Sequence, residues 1–567
     1  MRYVCLASDY DGTLASDGSV PEAAVDALER VRESGRRTIL VTGRELNDVE
    51  RVFERLDLFD RVVAENGAVL ADPATKEVRD LAEPPPEKLV HALEERGVDP
   101  LSVGRVIVAT WEPHEQAVLD AIHALGLEHQ VIFNKGAVMV LPAGVNKAFG
   151  LGAALDDLKL SPHNVVGIGD AENDHAFLEL CELSVAVANA LPSVKERCDL
   201  VTDGDHGHGV IGLVETLLED DLAGLDERLG RHDLPIGHRG DQPVALRPHR
   251  TNVLITGPSG SGKSSLTTGI VEGLRGRGYQ FLLVDPEGDY DTLEGVTVLG
   301  TPDRAPTVEE ALDVLSDPSA SLVLGLLGVR LDDRPRFLET LLPRVQELRT
   351  RNGRPHWLLV DEAHHLLPSG LKTTGESMAR DVTSLVFVTV HADAVAKEAL
   401  EPVNVVITPA EGAEESLEIF AQTAGISPPE TDSLRPRRGQ AVVWFVDDQP
   451  FAFDPLRPAQ DLKRHRRKYA EGDLEEDAFF FVGPEGKLHL RVQNLILFAQ
   501  VAEGIDDETW TWHLERGDYE RWFREAIGDK KLAKTAERAV QESDAKASRR
   551  RILEAIEERY TLPAEAG

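Results

Sequence analysis

Apolar runs alternate with helix-type patterns along the first 226 residues. The runs fall at 3–8, 37–42, 62–64, 105–109, 164–168, 184–187 and 199–202. Short buried strands separated by helical segments are typical of βαβ units, so the pattern predicts a mostly parallel sheet flanked by helices. A second αβ series begins at 252–256 and continues through 281–284, 321–327, 357–360, 385–390 and 404–407. The pattern therefore predicts two α/β units in succession.

The segments between and after these series predict the domain boundaries. Residues 229–250 are rich in Gly, Pro, His and Arg, which indicates a linker or a small entry strand. From about residue 470 the pattern becomes largely helical. We expect a first unit over 1–228, a connecting segment over 229–250, a second unit over 251–456 and a mainly helical region over 457–567.

The composition and net charge of the chain limit which macromolecules we expect it to bind. Of the 567 residues, 42% are hydrophobic and 28% are charged, as in globular proteins. The chain has 61 Lys and Arg against 99 Asp and Glu, a formal net charge of −38. Such a charge disfavours nucleic acid and anionic membranes as general partners. Residues 451–567, with 20 basic and 24 acidic residues, are nearly neutral and weaken that argument locally.

Cysteine usage and hydropathy bear on the compartment. The three cysteines are far apart and form no C-x-x-C, which argues against a disulfide framework and a zinc site. The sequence has no apolar run of membrane-spanning length and no signal-peptide pattern at its start. We therefore expect a cytoplasmic protein.

The first run of candidate chemistry is Asp9-Tyr10-Asp11-Gly12-Thr13, directly after a predicted strand. Two carboxylates at this position lie at the carboxyl edge of a parallel sheet, where α/β sites form. One carboxylate is suited to attack a phosphoryl group, and the other to protonate the leaving oxygen.

Three later segments supply complementary groups. Thr42 brings a hydroxyl after the second strand, and Lys147 brings a cation at a helix start. Asp170 and Asp174 follow another apolar strand. Phosphoryl transfer requires charge neutralisation, which Mg²⁺ and a lysine provide. Oxygen ligands suit Mg²⁺, so we expect Asp9, Asp11, Asp170 and Asp174 to hold it.

This ordered set resembles the haloacid dehalogenase (HAD) superfamily of phosphatases, and the Cof-type branch in particular. The matching residues are Asp9, Asp11, Thr42, Lys147, Asp170, Asn173 and Asp174, and the segment Glu65-Asn66-Gly67-Ala68 is also similar to that branch. The resemblance covers about 1–226. It implies a Rossmann-like α/β core with Asp9 as nucleophile and Asp11 as general acid and base.

The resemblance also implies an inserted α+β cap domain over about 72–145. Caps of this branch select the substrate. The candidates for contacting a phosphate ester are Trp111, His114, Asn134 and Lys135. Packing or surface roles for these four residues are at least as well supported by the sequence.

A complete G-x-x-x-x-G-K-S pattern follows the strand 252–256 and precedes a helix, which is the context of a nucleotide-binding P-loop. Its backbone N–H groups are expected to contact ATP phosphates, with Lys263 on the outer ones and Ser264 on Mg²⁺. The expected nucleotide-binding residues are Gly257, Pro258, Ser259, Gly260, Ser261, Gly262, Lys263, Ser264 and Ser265.

The apolar strand 357–360 ends in Asp361-Glu362, a Walker B pattern. Asp361 is expected to hold the metal, and Glu362 to polarise the attacking water. Together with 257–264 and the segment 285–290, this set resembles the HerA/FtsK group of P-loop ATPases over about 236–450. The resemblance implies a ring-forming homo-oligomer.

The match departs from that group after strand 385–389, where Thr389-Val390-His391 stands in place of the usual polar sensor. Either His391 replaces the sensor or γ-phosphate sensing is weakened. Arg435, Arg437 and Arg438 are candidates for an arginine finger, although a plain basic turn explains them equally well.

The C-terminal region carries two further patterns. The basic run 463–468 suggests either a phosphate contact or, with more support, a solvated linker. Trp510, Trp512, Tyr519, Trp522 and Phe523 recur at near-helical spacing, which favours a helical core over a base-stacking platform.

These observations favour a Mg²⁺-dependent HAD-type phosphatase for a small phosphorylated metabolite, joined to an ATP-binding and ATP-hydrolysing unit. Two alternatives stay open. One is a nucleic-acid-processing motor or repair protein that removes end phosphates. The other is a scaffold in which ATP controls only assembly.

Overall fold

The computed structural model describes residues 1–258, 261–370, 383–459, 474, 477–527, 529–542 and 544–560. These residues form an N-terminal α/β unit with a small inserted unit, a second α/β unit and a mainly helical C-terminal region. None of the helices in the described ranges has the length and apolar character needed to cross a membrane.

The first unit contains an eight-stranded sheet in the order β12-β11-β10-β1-β2-β3-β4-β5. Its strands are β1 (Cys5–Asp9), β2 (Arg37–Val41), β3 (Arg61–Ala64), β4 (Val69–Asp72), β5 (Glu77–Asp80), β10 (Val165–Gly169), β11 (Leu183–Ala186) and β12 (Leu200–Val201). Its helices are α1 (Glu22–Glu33), α2 (Leu46–Val52), α5 (Lys147–Leu158), α6 (His175–Leu180), α7 (Pro192–Lys195) and α8 (His206–Asp220). β1 is buried along its length because parallel strands on both sides and helices on both faces cover it.

A separate four-stranded antiparallel sheet, in the order β6-β7-β9-β8, forms the inserted unit. It contains β6 (Ser102–Val103), β7 (Val108–Trp111), β8 (His129–Asn134), β9 (Ala137–Pro142), α3 (Glu87–Glu95) and α4 (Glu115–Leu125). We call this unit the cap. The apolar run 105–109, which periodicity grouped with the main sheet and the family resemblance placed in the cap segment 72–145, ends in β7 of the cap sheet. Conversely, β5 lies inside the predicted cap segment 72–145 but pairs with β4 of the main sheet, so the separate sheet begins later than expected.

The second unit has an eleven-stranded sheet in the order β14-β13-β23-β22-β21-β15-β20-β19-β16-β18-β17. Its strands are β13 (Leu234–Arg239), β14 (Gln242–Leu246), β15 (Asn252–Thr256), β16 (Phe281–Asp285), β17 (Thr297–Leu299), β18 (Leu322–Gly325), β19 (Trp357–Val360), β20 (Leu385–Thr389), β21 (Val405–Pro409), β22 (Ala441–Phe445) and β23 (Phe451–Pro455). Its helices are α9 (Lys263–Gly276), α10 (Val308–Ser316), α11 (Arg334–Asn352), α12 (Ala363–Leu366), α13 (Lys397–Leu400) and α14 (Ala413–Ala424).

The connecting segment 229–250 supplies two strands of this second sheet. β13 and β14 form an antiparallel hairpin, and β13 also pairs with β23. Of the two sequence interpretations, a linker or an entry strand, the strand is what the structure contains. The hairpin extends the sheet at the edge away from β17.

Buried polar contacts join the first and second units. The Arg354 guanidinium donates to the Lys159 carbonyl at 3.0 Å, and Asn164 Nδ2 donates to the Gly353 carbonyl at 3.2 Å. Asn164 Oδ1 also lies 3.2 Å from Nε2 of His356. These groups are buried, so an unpaired partner there would be costly.

The C-terminal region contains the hairpin β24 (Phe479–Phe481) and β25 (Leu490–Val492) followed by five helices, namely α15 (Leu495–Gly504), α16 (Asp507–Glu515), α17 (Asp518–Glu525), α18 (Lys530–Ala539) and α19 (Ala545–Tyr560). Trp510, Tyr519, Trp522 and Phe523 are buried in one apolar cluster. Arg516 lies over the half-buried Trp512 ring. The helical-core interpretation is therefore confirmed for four of the five aromatics, and Trp512 lies outside that core. The basic run 463–468 lies outside the described residues.

Candidate active sites

The carboxyl ends of three neighbouring parallel strands bring the first group of predicted residues together. β1 lies between β2 and β10, so Asp9, at the end of β1, is adjacent to Thr42 and Asp170, which directly follow the other two strands. All three side chains are buried. Residues far apart in the sequence meet here because parallel strands end at the same edge of the sheet.

Lys147 is the cation at the centre of this group. Its buried Nζ donates to Asp9 Oδ1 and to Asp174 Oδ1, each at 2.5 Å. Lys147 is the first residue of α5, and the Asn146 side chain caps that helix by accepting from the Phe149 N–H at 3.0 Å. The cap fixes the helix start and therefore the origin of the lysine side chain.

The second carboxylate oxygen of Asp174, the one that does not contact Lys147, is also hydrogen-bonded. This oxygen, Oδ2, accepts the backbone N–H groups of Asp170 and Ala171 at 2.8 and 2.9 Å. The carboxylate thus links the turn after β10 to the lysine on α5. Asp170 in turn accepts the Thr13 hydroxyl at 3.2 Å, so the loop after β1 is also part of the network.

The three buried carboxylates of this group, from Asp9, Asp170 and Asp174, outnumber its one buried lysine, Lys147. Burial above all raises the pKa of Asp9 well above its ordinary value, and the Asp174 carboxylate adds to the effect. Burial also raises the pKa of Asp170. For Lys147, burial acts to lower the pKa, but Asp174 and Asp9 outweigh it and raise that pKa. Carboxylate oxygens of Asp9, Asp170 and Asp174 lie within 4.8 Å of one another, so this oxygen set fits a Mg²⁺ ion.

Asp11 has a different environment from the other acids. Arg44 holds it with two hydrogen bonds, Nε to Oδ2 at 2.6 Å and Nη2 to Oδ1 at 2.7 Å. The predicted metal set had four acids, and three of them form the cluster while Asp11 pairs with Arg44. Arg44 follows Thr42 closely in the sequence, and its N–H donates to the Thr42 hydroxyl at 3.2 Å. Sequence reasoning did not give Arg44 a role.

The cap contributes Lys135 to the site. This residue lies in the turn between β8 and β9, and its Nζ donates to Asp170 Oδ2 at 2.7 Å. Trp111 lies beside the same turn and is 54% exposed, whereas His114 Nε2 lies 3.0 Å from the Asp99 carbonyl. Asn134 precedes Lys135 and is half-buried. Of the four cap candidates, Lys135 is the residue that contacts the acidic cluster, through its hydrogen bond to Asp170.

Glu65 connects the cap to the core, a role that the sequence did not predict. Its buried carboxylate accepts three consecutive backbone N–H groups, from Arg105, Val106 and Ile107, at 2.8 to 2.9 Å. The next residue, Asn66, accepts the Asn173 side-chain amide at 3.0 Å. Both are in the Glu65-Asn66-Gly67-Ala68 segment that the sequence analysis singled out.

The second candidate site lies at the end of β15. Lys263 begins α9, and its Nζ donates to the carbonyls of Gly257 and Pro258 at 2.7 and 3.0 Å. Gly257 and Gly262 have φ values of 147° and 113°, which favour glycine. Ser261, Ser264 and Ser265 lie in the loop and the first helical turn, whereas Ser259 and Gly260 lie outside the described residues.

The Walker B strand β19 ends at the same sheet edge, separated from β15 by β20. Asp361 is buried, and burial raises its pKa well above the ordinary value, with Glu362, Asp285 and Asp289 adding to the effect. Glu362 adopts a left-handed φ of 42°. Asp285 accepts the N–H groups of Glu287, Gly288 and Tyr290, which shapes the loop after β16.

The sensor position at the end of β20 is connected to the Walker B segment. The Thr389 hydroxyl lies 3.2 Å from His364 Nδ1 and donates to the His391 carbonyl at 3.1 Å. Arg435, Arg437 and Arg438 are exposed in the segment before β22. Their assignment as an arginine finger stays a prediction.

Comparisons with known proteins bear on the first unit. The phosphoglycolate phosphatase of Halorubrum lacusprofundi is 32% identical over 221 residues, which are 37% of this chain and 96% of that protein. Phosphoglycolate phosphatase 2 of Saccharolobus solfataricus is 28% identical over 220 residues, 38% of this chain and 92% of that protein. The model of the haloacid dehalogenase-like hydrolase family matches residues 6–103 and 112–213. The chain belongs to the haloacid dehalogenase-like hydrolase family.

This membership confirms the HAD-type hydrolase expected from the motifs, for the N-terminal part of the chain. Residues 246–398 match a second family model, described as an AAA domain, which confirms the P-loop fold of the second unit. A solved haloacid dehalogenase-like hydrolase from Bacteroides thetaiotaomicron is 19% identical, with a TM-score of 0.34, and covers 38% of this chain and 99% of that one.

Proposed function

We propose that the first unit is a Mg²⁺-dependent phosphoric monoester hydrolase acting on a small phosphorylated metabolite. The observation that carries the proposal is the Lys147 ammonium held between the Asp9 and Asp174 carboxylates, beside Asp170. A buried cation and a nucleophilic carboxylate at one sheet edge are what phosphoryl transfer to a protein side chain requires. The phosphatase names of the relatives support the same reaction class.

Asp9 is the proposed nucleophile. One of its carboxylate oxygens forms a bond to phosphorus while the ester P–O bond breaks, and the leaving oxygen takes a proton from Asp11. In the second half, water gives a proton to Asp11 and attacks the aspartyl phosphate, which releases phosphate and restores Asp9. Both Asp11 oxygens accept from Arg44 in this structure, so Asp11 has to take a proton from solvent on one oxygen, in exchange for one of these two hydrogen bonds, before it protonates the leaving oxygen. The other hydrogen bond from Arg44 then keeps the carboxyl group oriented.

Asp9, Asp170 and Asp174 are the residues that would hold Mg²⁺, which supplies positive charge next to the phosphoryl oxygens. Lys147 keeps Asp9 oriented and adds its own charge to the same oxygens. Thr42, buried beside Asp9, is the proposed hydroxyl donor to the phosphoryl group.

The cap supports a small substrate rather than a polymer. Lys135 reaches across the acidic cluster from the cap, so the space over Asp170 is covered on that side. Phosphoglycolate, which gives the relatives their name, is a small phosphorylated acid and is the first substrate to test.

A panel screen tests the proposal. We would incubate the full chain with phosphoglycolate, sugar phosphates, nucleoside monophosphates and 5′-phosphorylated oligonucleotides, with Mg²⁺ or with EDTA, and measure released phosphate. We expect Mg²⁺-dependent turnover of at least one small ester, and none by Asp9→Asn. Turnover of the oligonucleotide alone would favour the nucleic-acid alternative, and no turnover of any ester would contradict the proposal.

We further propose that the second unit binds and hydrolyses ATP as a HerA/FtsK-like ATPase. This assignment is supported by two pairs of residues at one sheet edge. Lys263 and Ser264 begin α9, and Asp361 and Glu362 follow β19, which is separated from β15 by β20. Mg·ATP would be held by the loop before α9, by Ser264 and by Asp361. Light scattering with and without ATP tests the implied ring: a larger particle that depends on ATP and is lost in Lys263→Ala supports it, and an unchanged monomer contradicts it.

A further inference from the structure

A buried carboxylate lies between the two α/β units, away from both candidate active sites. Glu182, in the first unit just before β11, has a side chain that is 1% exposed. His163 Nδ1 lies 2.6 Å from Oε2, and His249 Nε2 lies 2.6 Å from Oε1. The Tyr279 hydroxyl of the second unit donates to both oxygens at 3.0 Å. Neither the phosphatase nor the ATPase proposal uses this group.

The orientation of His163 is fixed from the second unit. Its Nε2 lies 2.7 Å from the Arg277 carbonyl, which only accepts, so Nε2 carries the hydrogen. In a neutral ring, Nδ1 then presents a lone pair to Glu182. A histidine that donates one N–H to a backbone carbonyl while its other nitrogen faces a cation is the usual arrangement around a protein-bound metal.

Both oxygens of the Glu182 carboxylate lie against imidazole nitrogens, Oε2 against His163 and Oε1 against His249. A contact of 2.6 Å between Nδ1 and a carboxylate oxygen requires a positive charge, which is supplied either by a second hydrogen on the His163 ring or by a cation that both atoms bind.

His232 supplies an additional donor from the connecting segment. Its Nε2 is buried, lies 3.8 Å from Glu182 Oε2 and has no hydrogen-bond partner among the side chains that the structure describes. The ring is edge-on to His163, with centroids 5.5 Å apart. An unpaired buried ring nitrogen aimed at a buried carboxylate indicates a bound group at this position.

We propose that His163, Glu182 and His232 bind a transition-metal ion, Zn²⁺ in the first place, with His249 as the fourth donor. The donor atoms of the first three lie within 4.8 Å of one another. Bonds of about 2.0 Å in a tetrahedral Zn²⁺ site place donor atoms about 3.3 Å apart, so the first three donors close around one ion by side-chain adjustment. His249, which lies 2.6 Å from the other Glu182 oxygen, turns toward the ion as the fourth donor. The mixed nitrogen and oxygen set suits Zn²⁺, whereas the all-carboxylate cluster at Asp9 suits Mg²⁺.

The site would fasten the connecting segment to the first unit and orient the second. Two donors come from the first unit and two from the segment 229–250. Tyr279 and Arg277 of the second unit orient Glu182 and His163. Arg2, whose Nη2 is 3.5 Å from Glu182 Oε1, is the cation already present at the edge of the cluster. Its contact is longer than those of the histidines.

The experiment uses the full chain, stripped with a chelator and kept in excess Mg²⁺ so that the Asp9 cluster is occupied. Zn²⁺ alone is titrated in competition with a chromophoric chelator. We expect one equivalent bound by the unmodified chain, and at least about 100-fold weaker binding in His232→Ala and in Glu182→Gln. His91→Ala is the matched control, because His91 is an exposed histidine 3.2 Å from a Glu95 oxygen.

Co²⁺ gives a second measurement that does not depend on affinity. The unmodified chain should give the visible absorption of a tetrahedral nitrogen and oxygen site, and His232→Ala should lose it while its circular dichroism stays unchanged. No bound equivalent in the unmodified chain, or equal Zn²⁺ binding in all three variants, would overturn the proposal. Asp9→Asn should bind Zn²⁺ normally, so failure of the phosphatase proposal and failure of this one are distinguishable.

Discussion

The two candidate active sites place a lysine at the start of a helix beside a sheet edge, but they treat its charge differently. Lys147 donates to two buried carboxylates contributed by residues 138 and 27 positions away. Lys263 donates to two backbone carbonyls of its own loop. The first site sets its lysine between two carboxylates from distant segments, whereas the second sets its lysine against the main chain of the loop that precedes its helix.

This difference matches the reactions proposed for the two sites. A protein carboxylate that attacks phosphorus has to be oriented before the substrate arrives, so a fixed ammonium partner is useful. A loop that binds ATP presents backbone N–H groups and a lysine to the ligand itself. The comparison predicts that charge removal at the first site affects folding, and at the second site affects ligand binding.

The largest expected effect is on turnover. Asp9→Asn should lower phosphatase kcat by about 10³-fold or more, because the nucleophile is lost. ATP hydrolysis by the same preparation should stay unchanged. Phosphate release from each substrate, measured separately, checks both statements. Phosphatase activity retained in this variant would contradict the nucleophile assignment, and a parallel fall in ATP hydrolysis would show that the sites are coupled.

The next effect is on stability. Lys147→Met should destabilise the first unit by about 3–5 kcal/mol, because two buried carboxylates lose their cation. Lys263→Met, the matched change in the other unit, should cost less, under about 2 kcal/mol, because the loop carbonyls that accept from Lys263 are neutral and cost less to leave unpaired than buried carboxylates. Urea unfolding in EDTA, followed by hydrogen exchange of each unit, measures the difference. An equal loss of unfolding free energy in the two variants would contradict the proposed difference between the two sites.

A smaller effect is expected at the Walker B position. Glu362→Gln should lower ATP hydrolysis by about 10²-fold while ATP binding is retained, since the residue is assigned to the attacking water. Binding of a fluorescent ATP analogue and steady-state hydrolysis separate the two quantities. Loss of binding together with hydrolysis would assign Glu362 to the loop structure instead of the water.

The smallest effect concerns the cap. Lys135→Ala should raise the phosphatase KM about fivefold with little change in kcat, because the half-exposed ammonium beside Asp170 is then no longer present to attract the substrate phosphate, an attraction of about 1 kcal/mol. Lys76→Ala is the control, because Lys76 is exposed and has a similar positive φ in a turn of the main sheet. If kcat falls instead, Lys135 acts in the reaction rather than in substrate binding.

Contiguous motifs made much of this architecture predictable. The runs 252–256 and 357–360 became strands with the expected bounds, and Asp9, Thr42, Lys147, Asp170 and Asp174 converge because each follows a strand or starts a helix at one sheet edge. Periodicity alone grouped the run 105–109 with the main sheet, since periodicity identifies a strand but not the sheet that it joins. The predicted cap segment 72–145 did contain this run.

Pairings between distant residues were not predictable from local pattern. Arg44 reaches Asp11 across 33 positions, Glu65 reaches the segment 105–107, and Glu182 meets His249 across 67 positions. Each partner looks like an ordinary surface residue in the sequence. Their roles depend on the strand order and on how the two units pack, which single-sequence spacing does not encode.

The attachment of the cap has a consequence for how this enzyme can change. Glu65 binds main-chain N–H groups of Arg105, Val106 and Ile107, and main-chain atoms are the same whatever the side chain. Gly104 is the restricted neighbour, because a Cβ there would lie 2.8 Å from the Glu65 carboxylate. The main-chain part of this attachment is therefore indifferent to side-chain identity, whereas the buried side chains of Val106 and Ile107, which pack in the core of the first unit, restrict which caps could be exchanged at this point.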